Sequence, residues 1–289
     1  MKAAAVVSIV RDDGFELTTQ TEHKVFDEYT KESVDFDSDS ELMMYVNREM
    51  LNGANEITED ALQIDLLNGA GVIRYGGAAV SKATISGETG AESLITYEDL
   101  MRLSIDLDNN RCPKSTKIIT GSRMVDTRVV NGARYMFIGS ELIPLVKRMT
   151  DLFGNQAFIS VEKYADAGTI ANGEIGTVDQ FRIIVVPEMM HFAGEGATVS
   201  ANAGYRETGG NYDVFPMLVI GDESFTTIGF QTDGKTVKFK IKHVKPESET
   251  SYSAADPYGE LGWMSIKWYF GSMILRPERL AVCYTVAEL

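Results

Sequence analysis

The residues of this chain that could do chemistry fall at a few places, the first of them the glycines of "LLNGAGVIRYGG", Leu66 to Gly77. A GxGxxG loop lays backbone amides against a pyrophosphate, and it follows a strand and opens a helix. Here Arg74 holds the third glycine position, and the stretch closes a long helical pattern instead. No GxxxxGK[ST] loop occurs anywhere. The glycines are expected to act mechanically, with Gly69 or Gly71 ending a helix in the left-handed conformation before a tight exit turn.

The other candidates also fall short of a complete chemical set. Asp35, Asp37 and Asp39 in "DFDSDSELMMYV" imitate the first three ligands of a calcium loop. Ser40 replaces the turn glycine, however, and Val46 the bidentate glutamate, so an acidic helix start is expected instead. His23, His191 and His243 are far apart and lack zinc-ligand spacing. "GSELIP" lacks the strand-turn-helix GxSxG context of a serine hydrolase. Cys112 and Cys283 form no disulfide framework and fit a reducing compartment, with Cys283 read as a small buried apolar side chain. Lys238, Lys240 and Lys242 alternate with Val237, Phe239 and Ile241, which lines one strand face with cations. Such a face is expected to meet solvent, the alternatives being an acid-binding or inter-subunit contact. No catalytic, cofactor-binding or metal-binding residue is assigned, and the chain reads as structural rather than as an enzyme.

The elements around these residues change period along the chain. Residues 1 to 36 alternate as strands do, with "RDDG" as a hairpin turn. From Ser38, Leu42, Val46, Met50, Ala54, Ile57, Ala61 and Ile64 follow helical spacing. A rod of about 30 residues at 1.5 Å each is roughly 45 Å long. A compact chain of this size is about 50 Å across, so a flat or elongated molecule built along one spine is expected. Gly53 lies inside the rod and predicts a local kink or a close neighbour. Beyond Gly77 the pattern becomes mixed. Thr96 and Asp99 form a capping box for a helix carrying Leu100, Leu103 and Leu107. "SELIPLVKRM" reads as a helix with Pro144 in its first turns. Strand candidates are "STKIIT", "ARYMFIG", "AFISVEKY", "TVDQFRIIVVPE", "VFPMLVIGD", "TVKFKIKHV", "MSIKWYFGSMIL" and "RLAVCYTVAE". Residues 193–210 and 245–260 read as long surface loops.

Composition bounds the function class. The chain has 289 residues, 44% hydrophobic and 24% charged, as a folded domain or two would. The apolar run Ala3 to Val10 continues into Arg11-Asp12-Asp13 without a small-residue cleavage site, so a strand is expected there rather than a signal peptide. No run is long enough to span a bilayer. The net charge is −15, and Arg11 to Asp65 holds sixteen acidic against four basic residues, a net of −12. That surface repels nucleic acid.

Three segments, in order, resemble a known family: the spine with "LNGAGVIRYGGAAVSKATI"; "YADAGTIANGEIGTVDQFRIIVVPE"; and "ADPYGELGWMSIKWYFGSMILRPERLAVCY". Together they are similar to the major capsid proteins of the N-four-like (enquatrovirus) short-tailed phages and their prophage relatives. The resemblance implies an α+β architecture, the Hong Kong 97-type capsid fold, with a long spine helix, an extended β-hairpin loop, and peripheral and axial domains. It implies that residues 1–30 form the remainder of the extended loop and a peripheral strand. Residues 31–90 would form the peripheral domain with spine 38–68, residues 91–255 mainly the axial domain, and residues 256–289 closing strands shared by both. Family members commonly carry a longer portion before the equivalent of Met1, so the N-terminal arm and half the loop are expected to be short or missing.

The function implied is self-assembly into hexamers and pentamers of an icosahedral shell around double-stranded DNA. The partners implied are further copies of the chain, with decoration, scaffolding and portal proteins, and DNA held without sequence-specific contact. No cofactor and no membrane partner is implied. The location implied is the virion capsid, assembled in the bacterial host cytoplasm. An acidic spine facing the lumen would repel DNA phosphates within a screening length of about 8 Å. The alternatives are an encapsulin-like compartment shell, a tail or adaptor protein, and an enzyme with an unrecognised site.

Overall fold

The computed structural model describes residues 6–10, 16–30, 40–114, 116–119, 127–130, 134–163, 170–229, 239–248, 251–252 and 256–288. "RDDG", Asp35 to Asp39 and Lys238 lie outside them. The chain divides into two compact units, Met1–Leu62 with Phe225–Met273, and Gln63–Ser224 with Ile274–Leu289. This grouping sets residues 63–90 with the second unit, whereas the sequence division joins them to the spine. It sets residues 225–255 with the first unit, whereas the sequence division gives them to the axial part.

In the first unit, helix α1 (Ser40–Asn68) supplies its residues up to Leu62. It runs 29 residues without a break, about 44 Å at 1.5 Å per residue. No close neighbour requires the glycine at position 53, since a Cβ there would find nothing within 4 Å. The face the helix buries carries Met50, Ala54 and Thr58, one turn apart. Against it lies strand β15 (Leu261–Ile274), whose Met264, Ile266 and Trp268 alternate inward with strand period. Each large apolar side chain buried here contributes roughly 1.5–3 kcal/mol.

Strand β15 is central to its sheet. On one side it pairs antiparallel with β2 (Glu16–Thr30), from Leu261↔Thr30 to Phe270↔Thr21. On the other it pairs with β14 (Phe239–Val244), and β15 also pairs with β13 (Phe225–Gly229). The β15 pairing of β2 ends at Thr21, where pairing with β1 (Val6–Val10) begins as Val6↔Thr21. Strands β1 and β2 thus go on pairing as a two-stranded arm past the last β15–β2 pair, Phe270↔Thr21, in line with the extended hairpin that the family resemblance implies.

The second unit is built on a seven-stranded mixed sheet ordered β3-β16-β12-β6-β9-β8-β7. Its strands are β3 (Val72–Tyr75), β6 (Arg134–Ile138), β7 (Phe158–Ser160), β8 (Glu174–Val178), β9 (Phe181–Val185), β12 (Phe215–Ile220) and β16 (Leu280–Thr285). Helix α2 (Tyr97–Asn109) packs Leu100, Leu103 and Leu107 onto one face of it. That face presents alternate residues of four strands, including Met136, Ile183, Met217 and Cys283. The capping box of α2 forms as expected: Asp99 N–H donates to Thr96 Oγ1 at 3.3 Å, and Thr96 N–H donates to Asp99 Oδ2 at 3.0 Å. Helix α3 (Ile143–Arg148) begins with Pro144 in its first turn. Two small hairpins complete the unit, β4 (Thr116–Ile119) with β5 (Thr127–Val130), and β10 (Glu207–Thr208) with β11 (Asn211–Tyr212).

Three expectations need correction. "TVDQFRIIVV" is not one strand but the hairpin β8–β9, turned at Asp179, whose φ of 51° breaks the extended chain. Ile64, placed on the buried stripe, is 45% exposed because the buried face has passed to Leu66 and Leu67. Neither Gly69 nor Gly71 has a positive φ.

Candidate functional site

The Leu66–Gly77 stretch serves packing. Gly71 N–H donates to the Pro277 carbonyl at 2.9 Å, and a Cβ on Gly71 would lie 2.6 Å from that same oxygen. A side chain is excluded there by close backbone approach, not by φ. Left-handed geometry appears further on, at Gly77 with φ 58°. Arg74, which spoils the nucleotide motif, donates through Nε to Asp106 Oδ2 at 3.0 Å and fastens edge strand β3 to α2. The local chain therefore joins the spine to the sheet and offers no phosphate cradle.

The remaining candidates are dispersed. His191 stacks on Phe215 at 5.0 Å in the second unit, while His23 and His243 stand on β2 and β14 of the first. Among the described residues no group of three or more His, Cys, Asp or Glu could hold a metal ion. Cys112 and Cys283 are free and buried, and burial pushes the Cys283 thiol up to about 12. That makes Cys283 inert at neutral pH. Lys240 and Lys242 are exposed on β14 as expected, but Ile241 between them is also 47% exposed. No helix among the described residues is long and apolar enough to cross a membrane.

Two polar networks fix the loops of the second unit, and neither was legible beforehand. Arg134, 1% exposed, donates through Nη2 to Asp108 Oδ1 at 2.6 Å and to the Cys112 carbonyl at 2.7 Å. Lys114 adds a second cation to Asp108 at 2.9 Å. Burial pushes the Asp108 pKa up, but the bonds from Arg134 and Lys114 outweigh it and hold the carboxyl below its usual range.

The second network anchors the 193–210 surface loop to the body of the unit. Glu88 accepts from the Ser200 and Ala201 amides, each at 2.5 Å, and from the Tyr212 hydroxyl at 3.0 Å. The Ser200 amide, joined by the Ala201 amide and the Tyr212 hydroxyl, holds Glu88 below the usual carboxylate range against the opposing pull of burial. Burial, with Glu88 beside it, pushes the Tyr212 phenol up to about 12. The loop stays mostly exposed, anchored by buried Tyr205 and Tyr212.

What the surface does offer is contact geometry. Leu152 and Phe153 are 62% and 88% exposed at the tip of a tight turn. Asp151 Oδ1 accepts from the amides of Phe153 and Asn155 at 2.8 Å each and stiffens that turn. The second unit also carries two shallow clefts. One of about 280 Å³ is bounded by Leu94, Tyr97, Leu145, Met149 and the Arg148–Glu288 ion pair. The other, of about 320 Å³, is bounded by Ile64, Leu67, Asn68, Met190, His191 and Phe192. Such features suit association more than catalysis, since no nucleophile, base and oxyanion donor converge in either cleft.

No protein-family profile matches the chain. Over 265 residues it is 60% identical to the "Major capsid protein" of Pseudomonas phage KPP21, an alignment spanning 91% of this chain and 66% of that relative. The chain thus spans a little under two thirds of its relative's length. Among solved structures it is similar to the capsid of Ralstonia phage GP4, with a TM-score of 0.60 at 11% identity over 94% of this chain and 76% of that one. It is also similar to the capsid asymmetric unit of cyanophage Pam1, with a TM-score of 0.52 at 13% identity over 100% of this chain and 82% of that one. At such identities the likeness is one of architecture, and that architecture is the α+β Hong Kong 97-type capsid fold.

Proposed function

We propose that this chain is the shell-forming subunit, the major capsid protein, of a tailed phage, and that it assembles with copies of itself into hexamers and pentamers. The observation that carries the reading is the 60% identity over 265 residues to a phage major capsid protein, together with the capsid fold. At finer resolution we place it with the N-four-like (enquatrovirus) phages, on the ordered segments around the spine end, "NGEIG" and "ADPYGELGW". The first compact unit is assigned as the peripheral domain with the extended hairpin, and the second as the axial domain. Location in the virion, assembly in the host cytoplasm, and contacts with scaffolding, decoration and portal proteins belong to the same proposal. The identity to a phage protein favours this over an encapsulin-like compartment.

Physically, function lies in many modest contacts. Each subunit of a closed symmetric shell is held several times over, so no single joint need be strong. The β1–β2 arm and strand β14, with its exposed Lys240, Ile241 and Lys242, are edges of the kind that isolated proteins guard and assemblies use. Sedimentation of the purified full-length protein across concentrations tests the proposal. Species of five or six subunits and closed particles are expected, and a monomer at every concentration would refute it.

A further inference from the structure

The sheet of the second unit has two sides that differ in kind. At one end β7 is the outermost strand, and the turn just before it presents Leu152 and Phe153. The isolated Thr150↔Gln156 bridge and the Asp151 side chain close this turn, and Gly154 at φ 81° gives it its left-handed corner. Two large adjacent apolar side chains held out by a stiffened turn are a preorganised contact, because little ordering entropy remains to be lost on docking. Aromatic anchors of this sort dominate interface energetics.

Toward the other side of the sheet, over β12 and β16, lies the cleft of about 320 Å³. Its floor belongs to the β3–β16–β12 side: His191 stacks on Phe215 of β12, and the Phe192 ring meets Tyr284 of β16 edge-on at 5.9 Å. Leu67 and Asn68 close it just ahead of β3. Lys82 sets its ammonium over the rings of Phe192 at 3.6 Å and Tyr284 at 4.9 Å, placing a cation beside the cleft. The turn at the far end carries an anion, Asp151, held below the usual carboxylate range by the Asn155 amide and its neighbours. The cleft floor on β12 and β16 lies four to five strand spacings of about 4.8 Å from β7, roughly 19–24 Å.

We infer that the Leu152–Phe153 turn of one copy seats in the Ile64–Leu67–Met190–Phe192 cleft of the next copy, with Asp151 brought toward Lys82. Apolar knob meets apolar cleft, and anion meets cation. Because knob and cleft are different patches of one subunit, the contact is head-to-tail and propagates around a ring, closing when the rotation allows. The inference rests on the shell-subunit reading and names the joint within its capsomers.

The test is a cysteine pair in the full-length protein, Phe153→Cys with Ile64→Cys, oxidised after assembly; the native cysteines are buried and stay out of the reaction. Covalent ladders reaching five or six subunits on non-reducing gels are expected, with each single variant monomeric. Phe153→Asp should unfold at the wild-type midpoint, since the side chain is 88% exposed, yet need at least tenfold more protein to assemble. A double variant that assembles without cross-linking overturns the inference while the shell reading stands. So does Phe153→Asp assembling at the wild-type concentration, or Phe153→Cys alone forming dimers. If the wild type forms no rings or shells at all, both fall together.

Discussion

The Trp268 indole N–H donates to Thr58 Oγ1 at 2.9 Å, and Thr58 in turn donates to the Ala54 carbonyl one turn back at 2.8 Å. Trp268 is 1% exposed and Thr58 7%, so this buried hydroxyl ties the spine helix to the central strand beside the apolar contacts of Met50, Ala54, Met264 and Ile266.

Thr58→Val keeps the shape and removes the hydroxyl that accepts from the buried indole N–H. A loss of about 1–3 kcal/mol is expected, with Thr58→Ser well below that. Denaturant midpoints of the unassembled subunit measure it. Equal losses from both substitutions would mean that packing, not the bond, matters at this position.

The Arg134–Asp108 pair should respond asymmetrically. Asp108→Asn leaves a guanidinium that is 1% exposed without its counter-charge, and removing one partner of a buried ion costs about 3–5 kcal/mol. Arg134→Met leaves Asp108 39% exposed and still beside Lys114, so the loss should be clearly smaller. Thermal melts of the two variants decide it. Arg134→Met proving the more damaging would contradict the account.

Glu88 gives the loop at 193–210 an acid limit. Its folded-state pKa lies below the unfolded value, so its contribution is complete above the ordinary glutamate range, near pH 4.3, and is lost as pH falls through the lowered pKa. Hydrogen exchange at the Ser200 and Ala201 amides should accelerate, relative to intrinsic rates, only in that acid window. Glu88→Gln should lose this dependence and exchange faster at neutral pH. Protection that does not change with acid would remove Glu88 as the pin.

The spine could be read in the sequence because its spacing and capping rules are local. The turn from Met50 to Ala54 to Thr58 lies at four-residue intervals, and only Thr58 escaped, because a polar side chain carries no hydrophobic signal. The capping box at Thr96 was legible for the same reason. Gly71 was assigned the wrong cause because its requirement comes from Pro277, far along the chain. Asp179 hid a hairpin because an Asp-Gln turn lacks the usual glycine signal. Leu152 and Phe153 escaped notice because apolar residues in a sequence read as core, and only coordinates show them exposed.

The acidic spine offers a functional prediction on the proposed shell. Glu49, Glu56 and Glu59 are exposed on α1. If that face lines the lumen, neutralising all three to Gln should change DNA packaging or ejection while shells still form. Intact shells with unchanged packaging would place the charge elsewhere.

Cryo-electron microscopy of particles formed by the purified full-length protein tests the central claim most directly. Closed shells of pentamers and hexamers are expected, with an unbroken rod from Ser40 to Asn68 in every subunit. Monomers alone across all assembly conditions, with no ring, capsomer or shell, would contradict it.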